Sequence, residues 1–339
     1  MKYIFVISIF FIQSNFVHAQ LSAKDTKLTR PPLISFRAAD SLYKARVWTM
    51  SGVGAVAYAG SLLALKKAWY DNYDTSPFHF FNDNKEWLQM DKVGHVFGGY
   101  FESVWFSKAF QWAGVKRSKA RWIGLGCGMA IQGTLEVFDG FSSKWGFSKG
   151  DIVANTVGCG LFIGQELAWN EQRICMKVSN TPRRYSKTSI ASDDPTKPSS
   201  SLYERSNDLF GKTYLETFLK NYNDQTIWVS INPASFMPHK NLPNWIKPIN
   251  IAIGYGAENL YKGDPEYFWT NNGAQYSIDP KQYPRYRQFY LSLDIDVTRL
   301  KIKNPILRTL LSGINVIKIP APSIEFNSLG KVRFHPLMF

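Results

Sequence analysis

The spacing of hydrophobic and polar positions changes character just past the middle of the chain. Before residue 178 four apolar stretches, 47–65, 91–112, 120–138 and 149–169, have helical lengths and spacing. The first runs without a charge between Arg46 and Lys66-Lys67, and its Ser51, Ala55 and Ala59 recur every fourth residue, which suits close helix contact. After residue 208 the period becomes two. Phe289, Leu291, Leu293, Ile295 and Val297 alternate with Tyr290, Ser292, Asp294, Asp296 and Thr298, and Ile249, Ile251, Ile253 and Tyr255 alternate with small or polar residues. Weaker strands are expected at 227–231, 323–327 and 331–335, and short helices at 214–222 and 305–317. The pattern predicts an α+β protein: an N-terminal helical bundle of about four apolar helices, then a small antiparallel β domain with one face packed on helices. Five strands fall short of a closed barrel, which starts at about eight. Asp294 and Asp296 share a strand face and read as solvated acids.

The punctuation divides the chain further. Residues 1–19 have the layout of a signal peptide: Lys2, an apolar run from Tyr3 to Ile12, then Val17-His18-Ala19 as cleavage site. No Cys follows that site, so a lipid-anchored N-terminus is not expected. Residues 20–45 form a polar lead-in, 46–177 the helical bundle, 178–207 a Pro- and Ser-rich linker without apolar period, and 208–339 the β-rich domain.

Charge narrows the partner. The chain has 40 basic and 26 acidic residues, a formal net charge of +14. An exported protein does not meet nucleic acid, and the basic residues are scattered, so a membrane surface or an envelope protein is the expected partner. Four membrane spans would place Lys116, Arg117, Lys119 and Arg121 on the outer side, against the positive-inside rule. A bundle that is periplasmic or rests on a membrane surface fits better. Cys127, Cys159 and Cys175 lie in apolar sequence and are expected to be small buried hydrophobes rather than a disulfide framework.

Candidate chemistry lies in three of the four helices. Asp91 and His95 are four apart, and Gly98 and Glu102 continue their stripe; Gln132, Glu136 and Asp139 form a second; Asp151, Asn155 and Gly158 form a third. Buried polar groups are costly unless they meet one another, so the stripes are expected to face inward and share one network. Individually, Asp91 suits a helix start, His95 a core histidine paired to a carboxylate, and Ser148 with Asp151 a helix cap. Together, Asp91, His95, Glu136, Asp139 and Asp151 are candidate catalytic residues, with Lys92, Glu102, Gln132, Ser148 and Asn155 as the polar network around them. No metal site is assigned and no cofactor is expected, although one His among carboxylates is a set that a divalent metal can use. There is no His-Glu-x-x-His, and the Gly211-Lys212-Thr213 run lacks the first Gly of a phosphate loop, Ser206 standing there.

The run Asp91-Lys92-x-x-His95, then Glu136-x-x-Asp139-Gly140, then Gly146-x-Ser148-x-x-Asp151-x-x-Ala154-Asn155-x-x-Gly158 resembles the domain of unknown function numbered 2279, a family of predicted periplasmic lipoproteins, over about residues 85–170. It is also distantly similar to VanZ-like membrane proteins. The resemblance implies a fold relationship and an envelope location, and no established activity. The expected function is a structural or interaction role at a membrane surface of the cell envelope. The alternative is a hydrolase or transferase that acts on a lipid or cell-wall substrate through the Asp/His/Glu site.

Overall fold

The computed structural model describes residues 31–65, 74–237 and 242–338. The expected signal peptide lies outside the described residues. Four long helices come first: α1 (Lys44–Leu65), α2 (Met90–Trp112), α3 (Arg117–Gly140) and α4 (Lys149–Ala168). Strand β1 (Ile174–Asn180) follows, then α5 (Leu202–Phe210), α6 (Tyr214–Lys220), β2 (Gln225–Ile231), β3 (Ile249–Glu258), β4 (Phe268–Asn271), β5 (Ala274–Ser277), β6 (Tyr286–Ile295), α7 (Pro305–Ile314), β7 (Ala321–Asn327) and β8 (Val332–Met338). The α+β architecture is as expected. Among the described residues, no helix is long and apolar enough to cross a membrane.

Helix α2 is central. It packs on α3 and α4, and its Phe97, Tyr100, Phe101 and Val104 meet Phe162 of α4, Met176 and Val178 of β1, and Ile227 of β2 in one core. Glycine permits the close crossing of α2 and α4: a Cβ at Gly158 would lie 2.0 Å from the Val96 carbonyl oxygen. Helix α1 is held by its start. Arg46 is buried, and its guanidinium donates to the carbonyls of Pro32, Leu33, Arg37 and Trp112 while lying 3.9 Å from the Trp112 ring centroid. Farther along, α1 exposes Trp48, Val56 and Leu63, each at 70% or more.

Local signals start several helices. The Ser148 hydroxyl accepts the Asp151 N–H, Thr213 forms a capping box with Glu216, and Asn304 accepts the N–H groups of Ile306 and Leu307 ahead of Pro305. Helix α5 starts the same way, Ser201 accepting from Glu204 N–H, within sequence that reads as irregular. All three cysteines are free, Cys159 buried and the others half-buried.

The main sheet has six antiparallel strands in the order β1-β2-β3-β6-β7-β8, and β4–β5 is a separate hairpin in the β3–β6 connection. Its polarity overturns one expectation. The face carrying Lys177, Ser230, Asn250, Asp294, Ser292 and Ser323 is buried, whereas Ile251, Ile253, Phe289, Leu291, Leu293, Ile324 and Phe326 point out and are exposed. Helices cover the apolar face at the β1–β2 end, and the start of α2 packs on Tyr255 of β3. Asp294 and Asp296 are therefore not solvated acids; they are 1% and 3% exposed. Asp294 accepts from Lys177 Nζ at 2.7 Å, Ser230 Oγ at 2.6 Å and the Ile319 N–H at 3.1 Å. Asp296 caps the turn after β6 and meets Arg299 at 3.1 Å.

Candidate functional site

The three polar stripes meet where α2, α3 and α4 begin or end. A left-handed turn precedes α2: Trp87, Leu88 and Gln89 have φ of 50°, 47° and 66°, a conformation that costs a non-glycine residue on the order of 1–3 kcal/mol. The second half of the chain holds it there. Trp87 N–H donates to Gly263 O at 2.7 Å, its ring packs on Phe210 and Tyr222, and the Tyr255 hydroxyl donates to Leu88 O. The turn delivers Asp91 and Lys92 to the cluster.

His95 is its centre and is 1% exposed. Its Nδ1 lies 2.9 Å from Asn155 Oδ1, an acceptor, so Nδ1 carries hydrogen. Its Nε2 then faces carboxylates: Asp151 Oδ1 at 3.1 Å, Glu136 Oε1 at 3.4 Å and Asp91 Oδ2 at 3.9 Å. Two bare lone pairs do not approach to hydrogen-bond distance, so a proton lies between His95 and Asp151. Burial, then the neighbouring Asp91 and Glu136, push the Asp151 carboxyl up to about 9, so the pair keeps that proton at neutral pH. Lys92 brings a cation to the cluster. Its Nζ lies 2.6 Å from Asp83 Oδ1, 2.7 Å from Asp151 Oδ1 and 3.4 Å from Asp91 Oδ2. Burial works against the ammonium, but Asp91 and Asp151 more than offset it and hold its pKa above the ordinary lysine value.

Single ligand atoms of Asp91, His95 and Asp151 lie within 4.8 Å of one another, a donor set that suits a divalent cation. Lys92 already holds the cationic position beside Asp151, so a metal there would have to displace the ammonium.

The remaining expected residues are placed as follows. Ser148 caps α4 and ties the site together: its N–H donates to Glu136 Oε2 at 3.2 Å and its hydroxyl to Asp83 Oδ1 at 2.7 Å. Asp139 is buried one turn beyond Glu136. Glu102 and Gln132 form their own buried pair at 2.9 Å, about 10 Å along α2 from His95 at 1.5 Å per residue. Burial pushes the Glu102 carboxyl well above the usual carboxylate range. Three participants escaped the sequence reading. Asp83 sits in a loop ahead of α2, outside any helical spacing. The Tyr222 hydroxyl donates to Asp91 Oδ1 at 2.8 Å from far along the chain. Burial, then Asp83 and Asp91, raise Glu86 to about 7.

A second polar network fills the concave side of the sheet. Lys177 and Asp294 anchor it, Asn250 donates to Ser230 at 2.9 Å and Asn232 to Asn250 at 2.7 Å, and Lys318 lies 4.7 Å from the Trp228 ring centroid.

No curated protein and no solved structure matches the chain. Residues 79–163, which include every member of the His95 cluster except Tyr222, match the family described as Predicted periplasmic lipoprotein, a domain of unknown function.

Proposed function

We propose that this is an exported cell-envelope protein with a structural or interaction role at a membrane surface, in which the His95 cluster locks the three core helices. The sheet carries this reading. A sheet that faces water buries its apolar side and exposes its polar one. Here β3, β6 and β7 do the reverse, the polarity of strands that face lipid. The exposed rows run from Phe289 and Phe326 to Ile295, roughly 20 Å at about 3.3 Å per residue. The end row carries Phe289 and Phe326 with Val332, the next carries Ile253, Leu291 and Ile324 with Phe334, and Arg287 stands just past the end row, where interfacial belts place basic residues. The helices agree: from Val153 to Ala168 the exposed positions of α4 carry no charge, and α1 exposes apolar residues. The net charge of +14 suits an anionic bilayer.

Flotation of the purified full chain with vesicles of phosphatidylglycerol and phosphatidylethanolamine tests it. The protein should float and should stay bound in 1 M salt, because apolar contact is not screened. Leu291→Glu with Ile253→Glu should abolish flotation. A chain that stays at the bottom of the gradient, or sediments as a dimer that these substitutions dissolve, rejects the membrane reading.

One observation favours an enzymatic reading as the second. The rim of the cluster reaches solvent, the side chains of Asp83, Asp91 and Lys92 being 15%, 18% and 14% exposed. Asp91, His95, Glu136, Asp139 and Asp151 would then act on a lipid or cell-wall substrate. His95→Ala separates the two: a catalytic site keeps its stability and loses its cellular effect, whereas a structural lock loses stability.

A further inference from the structure

A cavity of about 1070 Å³ opens where the C-terminal ends of α2 and α4 face α7 and the loop after β6. It is on the scale of sites that take a ligand of drug size or larger. Its walls divide by chemistry. Phe101 and Trp105 of α2, Phe162 of α4, and Leu300, Ile302 and Val316 form apolar surface.

The charged lining is unbalanced. Three acids line the cavity, and each is already engaged: Glu166 with Arg117 at 2.8 Å, Glu171 with Arg299 at 2.8 Å, and Asp296 with Arg299 at 3.1 Å. Lys108, Lys247, Lys301, Lys303 and Arg308 also line it, and none of them has a carboxylate within ion-pair distance among the described residues. Two wall atoms point to an absent ligand. Arg308 Nε and Ser312 Oγ are buried and lack a hydrogen-bond partner among the described residues, and Ser312 is 8% exposed. Leaving a buried donor unmatched is costly, and native proteins do so rarely. Burial also pushes the Lys108 ammonium down from its ordinary value, a penalty that an anion beside it would relieve.

We propose that this cavity binds an anionic amphiphile, its acyl chain on the Phe101–Trp105–Ile302 wall and its phosphate or carboxylate headgroup received by Arg308, Ser312 and Lys108. A headgroup oxygen accepts from Arg308 Nε and Ser312 Oγ, which meets both unmatched donors. The excess of cations selects negative over zwitterionic headgroups. The inference rests on the cavity and does not require the sheet to face lipid.

Native mass spectrometry of the full chain, purified in a non-ionic detergent and offered dioleoylphosphatidylglycerol, oleate or dioleoylphosphatidylcholine, tests it. The expected result is a one-to-one adduct with phosphatidylglycerol or oleate and little with phosphatidylcholine. The stronger of the two anions identifies the headgroup as phosphate or carboxylate. Arg308→Glu should weaken the adduct about tenfold or more. Lys303→Glu, on the rim, repeats the test if the first variant does not fold. Ser312→Trp, which sets an indole where the headgroup would sit, should block binding whatever the headgroup. The proposal fails if phosphatidylcholine binds as well as the anions, if charge reversal leaves the adduct unchanged, or if inorganic phosphate alone displaces the lipid fully. Loss of this adduct with flotation intact would reject the cavity and spare the membrane reading; the converse would spare the cavity.

Discussion

His95 and Asn155, sixty positions apart, are joined by a 2.9 Å contact between Nδ1 and Oδ1, and both residues are 1% exposed. That one bond orients the imidazole, and so decides that Nε2 faces Asp151, Glu136 and Asp91. Asn155→Ala should free the ring and strand a buried donor. We expect a loss of about 1–3 kcal/mol in denaturant unfolding, with His95→Ala costing a similar amount and the double substitution less than the sum. Additive losses would mean that the two residues are not coupled.

The carboxyls of the cluster make stability depend on pH. Asp151 is raised to about 9 from an ordinary 3.8, and Glu86 to about 7 from 4.5. A group with a raised folded-state pKa binds its proton more tightly when folded. Its contribution is complete below the ordinary pKa and is lost as pH climbs through the folded value. The melting temperature should therefore fall steadily from pH 5 to pH 9. Asp151→Asn, which mimics the protonated acid, should flatten the upper part of that slope. A melting temperature that rises with pH would contradict the assignment.

Inside the sheet, Lys177 and Asp294 are both fully buried and 2.7 Å apart. Asp294→Ala leaves the ammonium without its carboxylate and should cost about 3–5 kcal/mol. Lys177→Met combined with Asp294→Leu removes both charges and should recover most of that loss. A double-substitution cycle in urea measures the difference, and equal losses for the single and double variants would show that charge burial is not the cause.

Two glycines of α4, two residues apart, should respond in opposite ways. A methyl at Gly158 meets the Val96 backbone oxygen at 2.0 Å, so Gly158→Ala should push α2 and α4 apart and cost about 1–3 kcal/mol. Nothing lies within 4 Å of a methyl at Gly160, where Gly160→Ala should stabilise by up to about 1 kcal/mol through helix propensity. Thermal melts of the two variants decide it, and equal effects would place the crossing elsewhere.

Periodicity is local, and what it encodes was readable. The four helices, the six-residue and longer alternations of β3 and β6, and the cap at Ser148 follow from neighbours within a few positions. So did the inward polar stripes, because spacing of three and four puts residues on one helix face. Strand β1 and helix α5 give a weaker signal: β1 alternates only over Met176, Lys177, Val178 and Ser179, too short a run to stand out, and α5 stands in polar surroundings.

Tertiary structure decided the rest. Sequence places Asp91, His95, Glu136 and Asp151 on stripes; only the packing of α2, α3 and α4 shows that these four share a centre while Glu102 and Gln132 pair separately. Asp83 and Tyr222 join through a loop and a chain reversal that no period records. The sheet makes the same point about direction. Alternation establishes that β6 has an apolar and a polar face, but a period of two is symmetric and cannot say which face turns inward. That depended on Lys177, from a strand more than a hundred residues away, reaching Asp294 and making the polar face the buried one.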